Sequence, residues 1–421
     1  MKRGVVAFLL LCCSGLVALA QTPADWAQWG GPQRNFKSPA TGLAASWPEG
    51  GPRKLWSRPL GDGYSSIAVQ GGKLFTMYRK GEQDAVIALD AATGKTIWEY
   101  AYDAPFWKEQ DMSNGPGPHA TPLVTGDFVF TTGATGKLHC LDKQTGKLVW
   151  AHDLFKEFNG TVRPNGYSCS PLAFKNMVIV MVGGTGNALM AFNQKDGAVV
   201  WKKHDFKNST SSPILINVDG QEQLVAFMFG DIIGVDPNDG TLLWQHPHET
   251  DFGLNTMTPV WGDDNLLFVS SGYNGGSRVL KLTRDKLAGG KTNVEEVWFH
   301  RLMRVHFGNC IRVGDLVLGS SGDFGPAPFT AVNIKTGKIV WRNRSFPRAN
   351  FLLAEGRLLI LDEDGNLALA TLTEEGLSVH AKTALLNNNA WSVPALAGTT
   401  LFVRDRRNML ALDLKRPVSA H

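Results

Sequence analysis

Asp90-Ala-Ala-Thr-Gly-Lys-Thr-Ile-Trp98 decides the fold because it returns as Asp142-Lys-Gln-Thr-Gly-Lys-Leu-Val-Trp150, and again over Asn193 to Trp201, Asp236 to Trp244 and Asn333 to Trp341. In these five copies glycine stands four residues before the tryptophan, and Asp or Asn eight before it. A degenerate copy with an insertion around Gly289-Gly290 ends at Trp298. Another, through Gly376, places His380 at the tryptophan position. Counted from Trp56, successive spacings are 42, 52, 51, 43, 54, 43 and 39 residues. A period of this length with four short strands per unit predicts propeller blades.

Each part of the unit has a physical reason. Runs such as Val86 to Asp90 and Lys95 to Trp98 alternate like strands around a tight turn. The Asp or Asn bonds the turn's backbone, and glycine supplies the positive φ of a hairpin loop. The tryptophan then follows on the outer strand, where its ring can fill the wedge between blades. Some 25–30 residues earlier comes a second mark: Thr121-Pro122, Ser170-Pro171, Ser212-Pro213 and Thr258-Pro259, with Val393-Pro394 as a variant. Proline cannot donate to a ladder, so it suits the first residues of the innermost, channel-lining strand.

The two ends complete each other. Residues 390–414 supply three strands and stop, whereas Lys54-Leu-Trp56-Ser-Arg-Pro-Leu60 is a tryptophan strand with no blade before it. Joining them predicts an all-β fold, a single eight-bladed β-propeller over 54–414 whose last blade is closed by an N-terminal strand. Residues 21–53 read as an arm packed over the ring, and 415–421 as a C-terminal tail. Residues 1–20 have the pattern of a signal peptide: Lys2 and Arg3, an apolar run from Val5, then Ala18-Leu-Ala20. Cleavage after Ala20 implies a periplasmic or secreted protein.

Removing Lys2 and Arg3 lowers the net charge from +4 to +2, with no basic run, so nucleic acid is not an expected partner. No later segment is long and apolar enough for a stable membrane span. Cys140, Cys169 and Cys310 are too few and too far apart for a disulfide framework and read as small buried hydrophobes.

The Asp-x-x-Thr-Gly-Lys-x-x-Trp unit resembles the tryptophan-docking repeat of pyrroloquinoline quinone (PQQ)-like β-propellers, over nearly all of 54–414. Asp25-Trp26-Ala-Gln-Trp29-Gly-Gly-Pro32-Gln-Arg34 is similar to the start of exported members. The resemblance implies structural docking roles for Trp56, Trp98, Trp150, Trp201, Trp244, Trp298 and Trp341. The family includes PQQ-dependent alcohol dehydrogenases and non-catalytic relatives such as BamB, the propeller lipoprotein of outer-membrane β-barrel assembly. The dehydrogenases are longer, hold PQQ against a disulfide between adjacent cysteines, and bind calcium through clustered Glu, Asn and Asp. Here the only adjacent cysteines are Cys12-Cys13, inside the signal sequence, and no calcium set is assignable. BamB's anchoring cysteine is missing too.

No HExxH, Walker, GxSxG or CxxC pattern occurs. Gly183-Gly-Thr-Gly186 and Asn274-Gly-Gly276 read as turns, and His246-Pro-His248-Glu249 as a solvated inter-blade loop. No catalytic residue and no metal ligand is assigned. The candidate ligand-binding residues precede the innermost strands, whose loops converge on one channel mouth. They are Tyr64, His119, Tyr167, Asn255, His306, Asn309 and Trp391, joined by Trp107, Lys108, Phe158 and Arg163 in the longest loops. Arg301, Arg304 and His306 are expected to make one side basic. The reading is a BamB-like binding or scaffolding propeller of the envelope, with a protein or peptide partner or a small ligand and no cofactor. Its alternative is a PQQ-dependent oxidoreductase, alcohol dehydrogenase-like, with calcium at the mouth.

Overall fold

A computed structural model describes residues 25–113, 115–285, 290–373, 375–387 and 389–417. The signal sequence 1–20 and residues 418–421 of the tail lie outside the described residues. The described regular elements are strands, and they form eight sheets arranged as an eight-bladed propeller. Among the described residues no helix is long and apolar enough to cross a membrane. Blade 1 comprises Ala68–Gln70, Lys73–Lys80, Gln83–Asp90 and Thr96–Asp103, from the innermost strand outward. Blades 2 to 6 repeat this plan over 123–153, 172–203, 214–247, 260–300 and 311–343. Blade 7 spans 350–384, and Lys37–Ser38 of the arm adds a parallel fifth strand to it. The middle strands, such as Met177–Met181, are buried on both faces because each blade is covered by two neighbours, which explains their continuous apolar runs.

Blade 8 is shared by the two ends. Ala395–Ala397, Thr400–Arg404 and Asn408–Asp413 come from the C-terminal side, and Arg53–Pro59 pairs antiparallel with the last of them. Arg404 rivets this blade to blade 1. Its fully buried guanidinium donates to the carbonyls of Gly63, Ser65 and Met77 at 2.8–2.9 Å.

The repeated turn works by a contact between blades. Asp90 Oδ1 accepts from the Thr93 amide and hydroxyl, and Asp142 does the same with Thr145. Gly94, Gly146, Gly197, Gly240 and Gly337 adopt φ of 69–76°. A Cβ on these glycines would stand 2.5–2.9 Å from the ring of Trp56, Trp98, Trp150, Trp201 and Trp298 respectively, each from the preceding blade. Each of these indoles also donates to a carbonyl of that same turn. A β-bulge just before the tryptophan position, present in all eight blades, aims the ring.

The departures follow from the turns. In blade 5 the sequence carries an insertion where the turn motif stands elsewhere, and Trp244 donates to Gln223 of its own blade, which in turn donates to Thr292 of blade 5. In blade 7 the sequence register is off by one. His380 occupies the bulge and is exposed, whereas Ala381 takes the tryptophan position opposite Leu369. The next blade has no turn to receive a ring there, because its two outer strands are the chain's two ends, joined by the Arg53–Asp413 ion pair.

Candidate functional site

The residues before the innermost strands form a hydrogen-bonded collar. The Thr121 amide donates to Ser170 Oγ, the Ser170 amide to Ser212 Oγ, and the Val393 amide to Ser66 Oγ, each across one blade boundary. Asn309 and Asn350 continue it on the other side. The hydroxyls of Ser170 and Ser212, the two Ser-Pro marks, therefore replace a ladder partner at an edge strand.

The arm closes the channel from the opposite end. Trp26 pairs with Val69 of blade 1, Ala27 accepts from Val124 of blade 2, and the Phe36 carbonyl accepts from Leu353 of blade 7. Arg34 donates to Ser170 and Pro171, and the Trp29 indole to Thr258. The expected arm over the ring is in fact a plug within it, and the channel becomes a funnel of about 690 Å³ with Trp29 in its lining.

One half of the funnel wall is aromatic. His119 stacks on Tyr64 at 5.9 Å, Tyr64 on Trp391 at 5.2 Å, Trp391 on Phe307 at 5.2 Å, and Phe307 on His306 at 3.9 Å. Tyr273 meets His306 edge-on, and Phe252 and Phe324 flank Tyr273 at the rim. Phe252 and Phe324 are 59% and 80% exposed, an unusual position for bare phenyl rings. The opposite half carries hydroxyls, including Ser170, Ser212, Thr210 and Thr256, with Arg163 above them. The two longest loops are tied over this half. The Asp111 amide donates to Pro164, Asn165 to Asp111 Oδ2, and Arg163 to the carbonyls of Phe252 and Gly253.

Four of the seven candidates, Tyr64, His119, His306 and Trp391, thus meet in one continuous wall. The other three lie behind it. Tyr167 donates to the Met181 carbonyl, Asn255 to Met228 and Phe229, and Asn309 to Phe351, all buried. Trp107 packs on Phe155, and Phe158 on Phe192. Phe307, Tyr273, Phe324, Asp111, Asp323 and Arg348 also line the funnel. Tyr273, Phe324 and Asp323 sit in turns between second and third strands, which reach the same mouth as the inter-blade loops.

Of the three groups expected to make one side basic, Arg301 donates to the Asn274 carbonyl and lies outside the funnel lining, while Arg304 and His306 bring no free charge to it. Burial holds the His306 imidazole down to about 4, so it is neutral at pH 7. Arg304 is paired with Asp323 at 3.1 Å, and Arg348 with Glu363 at 3.3 Å. Hydrogen bonds from Ser113, and then from Asn165, keep Asp111 below the usual carboxylate range, against its slight burial. Asp111 is therefore not arranged as a proton donor. His246 and Pro247 belong to the outer strand Leu242–Pro247 rather than a solvated loop. His248 is buried, with Nδ1 accepting from Arg278, so Nε2 carries the proton toward Ser271 and cannot serve as its base.

The family model described as outer membrane protein assembly factor BamB matches residues 43–115 and 101–343. BamB of Yersinia pestis is 22% identical over 313 residues, covering 69% of this chain and 73% of that relative. BamB of Moranella endobia is 23% identical over 363 residues, covering 84% and 78%. The quinoprotein alcohol dehydrogenase PedH of Pseudomonas putida is 27% identical over 143 residues, covering 31% of this chain and only 23% of the dehydrogenase. Among solved structures, BamB from Moraxella catarrhalis superposes with a TM-score of 0.59 at 18% identity, over 86% of this chain and 100% of that one. Quinohemoprotein alcohol dehydrogenase ADHIIG from Pseudomonas putida gives 0.62 at 11%, over 95% and 81%. At these identities the superpositions show the propeller fold alone.

Proposed function

The chain belongs to the family of the outer membrane protein assembly factor BamB, and from that membership we propose that it is a binding or scaffolding propeller of the cell envelope that performs no chemistry of its own. Its partner is a protein or peptide met at the funnel mouth, in the periplasm or at the outer membrane, a reading supported by relatives named as outer membrane protein assembly factors. One observation carries the reading: a plugged funnel whose aromatic wall ends in two solvent-exposed phenyl rings, Phe252 and Phe324. Exposed aromatic anchors at the edge of a concavity are what a partner desolvates.

The residues at the mouth do not suit PQQ with calcium. Asp111 is occupied by Ser113 and Asn165 and Asp323 Oδ2 by Arg304, which leaves only the buried Asp323 Oδ1 open, and the two carboxylates belong to different loops. Among the described residues no three His, Cys, Asp or Glu side chains gather, and Cys140, Cys169 and Cys310 are each buried apart as free thiols. The matched dehydrogenases supply a second reading only for a fraction of their length.

A photo-crosslinking residue at position 324 in the native envelope tests the proposal. A discrete protein adduct from 324, absent from the same residue at Val200 on the outer rim, is the result expected. Adducts of equal yield from both positions, or none from 324, would overturn it.

A further inference from the structure

We infer that the funnel takes an aromatic carboxylate, with Arg163 as its anion subsite and the stacked wall as its ring subsite. The inference rests on the reading that this mouth binds a ligand without transforming it. Arg163 lines the funnel and is 7% exposed. Of the two guanidinium groups in the lining, Arg348 has Glu363, whereas Arg163 pairs with no carboxylate among the described residues. Its Nη2 donates to two carbonyls, its carbon sits 4.9 Å above the Phe229 ring, and its buried Nε has no hydrogen-bond partner. Lys207 approaches the same ring at 5.7 Å, adding positive charge. A buried cation held only by carbonyls and a ring face is stabilised by an anion, and a guanidinium fork suits a carboxylate.

The rest of the lining narrows the class. Asp111 and Asp323 also face the funnel and repel any anion, a dianion such as phosphate about twice as strongly as a single carboxylate, so the lining favours the lower charge. Phe252 bridges the two subsites. Its carbonyl accepts from Arg163 while its ring meets Tyr273, which leads to His306, Phe307 and Trp391. A ring attached to the carboxylate lies along this wall, where offset stacking and edge-on contacts are favoured. The imidazoles add no competing charge, because His306 is neutral. The same chemistry is offered by the C-terminal residue of a peptide ending in Phe, Tyr or Trp and by a free aromatic acid.

Titration calorimetry on the full chain distinguishes the possibilities. The probes are N-acetyl-L-tryptophan, its carboxamide, and an N-acetylated hexapeptide ending in Phe with either a free or an amidated terminus. The free acids bind, and the amides bind about ten-fold or more weakly, the loss of one charge-assisted hydrogen bond in a dry site. Arg163→Gln brings the acids down to the level of the amides and leaves the amides unchanged, while Trp391→Ala weakens both. A tighter peptide acid assigns the site to chain termini, and equal affinities assign it to small acids. Acid and amide binding alike, or neither binding, overturns the inference on the wild-type protein alone, so it remains testable if Arg163→Gln does not fold. An acid affinity unchanged in a folded Arg163→Gln does so as well. Failure of this inference leaves the non-catalytic reading standing, since that reading fails only through turnover or through absence of a partner at the mouth.

Discussion

Arg404 has no exposure and ends a strand, where a charged side chain would ordinarily reach water. It remains a cation in the interior because three carbonyls surround it, two in the segment leading into blade 1 and one within that blade, and loss of solvation lowers its pKa to about 10. Arg404→Leu would fill part of the volume and leave the Gly63 and Met77 carbonyls without that donor. At about 1–3 kcal/mol for each buried group left unsatisfied, the expected loss is roughly 3 kcal/mol or more, read by denaturant or thermal unfolding. A loss within about 0.5 kcal/mol would mean that water replaces the guanidinium and that Arg404 does not hold the junction. Nothing in the sequence around Leu401-Phe-Val-Arg404 announces this role, since the partners are 327 or more residues away. The funnel residues share that opacity. Tyr64, His119, His306 and Trp391 were found by their place before an innermost strand, but Tyr167, Asn255 and Asn309 hold the same place and turn inward. The backbone position is legible, whereas the side chain's direction depends on which neighbouring carbonyl is left to bind.

At the scale of the element, the turn and the bulge act as one device. The turn is legible because its chemistry is local: an Asp or Asn acceptor, a Thr or Asp side chain and a glycine at positive φ within five residues. The bulge is not, because skipping one residue of the outer strand changes register without altering composition, and so His380 was aligned where Ala381 stands. Leu369 opposite Ala381 shows the compensation, since the corresponding partners of Trp98, Trp150 and Trp201 are Ala88, Cys140 and Ala191. A contrast within blade 2 isolates the ring contact. Gly126 and Gly146 both have positive φ, but a Cβ at 126 meets nothing within 4 Å, whereas one at 146 would lie 2.5 Å from Trp98. Gly126→Ala is expected to cost about 1 kcal/mol from backbone strain. Gly146→Ala should cost about 1–3 kcal/mol more, because the ring must move out of a packed wedge. The excess should vanish in the Trp98→Ala background. Equal losses at the two glycines would show that the tryptophan does not press on the turn.

At the scale of the whole molecule, closure has two consequences. The shared eighth blade removes the open edges of the array, and the arm that leads into it plugs the channel on its way. The shared blade could be read from the sequence because an orphan strand and an incomplete unit stood at opposite ends. The plug could not, because Trp26 to Phe36 carries no periodic pattern and its partners are edge strands scattered over blades 1, 2, 3, 5 and 7. The repeat specifies the ring, and a ring of this kind serves binding proteins and dehydrogenases alike, so function rests on what the funnel presents. Thermal unfolding of the purified protein with PQQ and Ca²⁺, run beside a dye-linked alcohol oxidation assay, tests the central claim most directly. A ligand of the native state at a hundred times its dissociation constant would add about 2.7 kcal/mol, which melting resolves. The binding-propeller account predicts no oxidation and no calcium-dependent shift, since a shift from PQQ alone would report only an aromatic acid held in the funnel. A clear shift accompanied by dye reduction, both abolished by Trp391→Ala, would contradict it and make the funnel an active site.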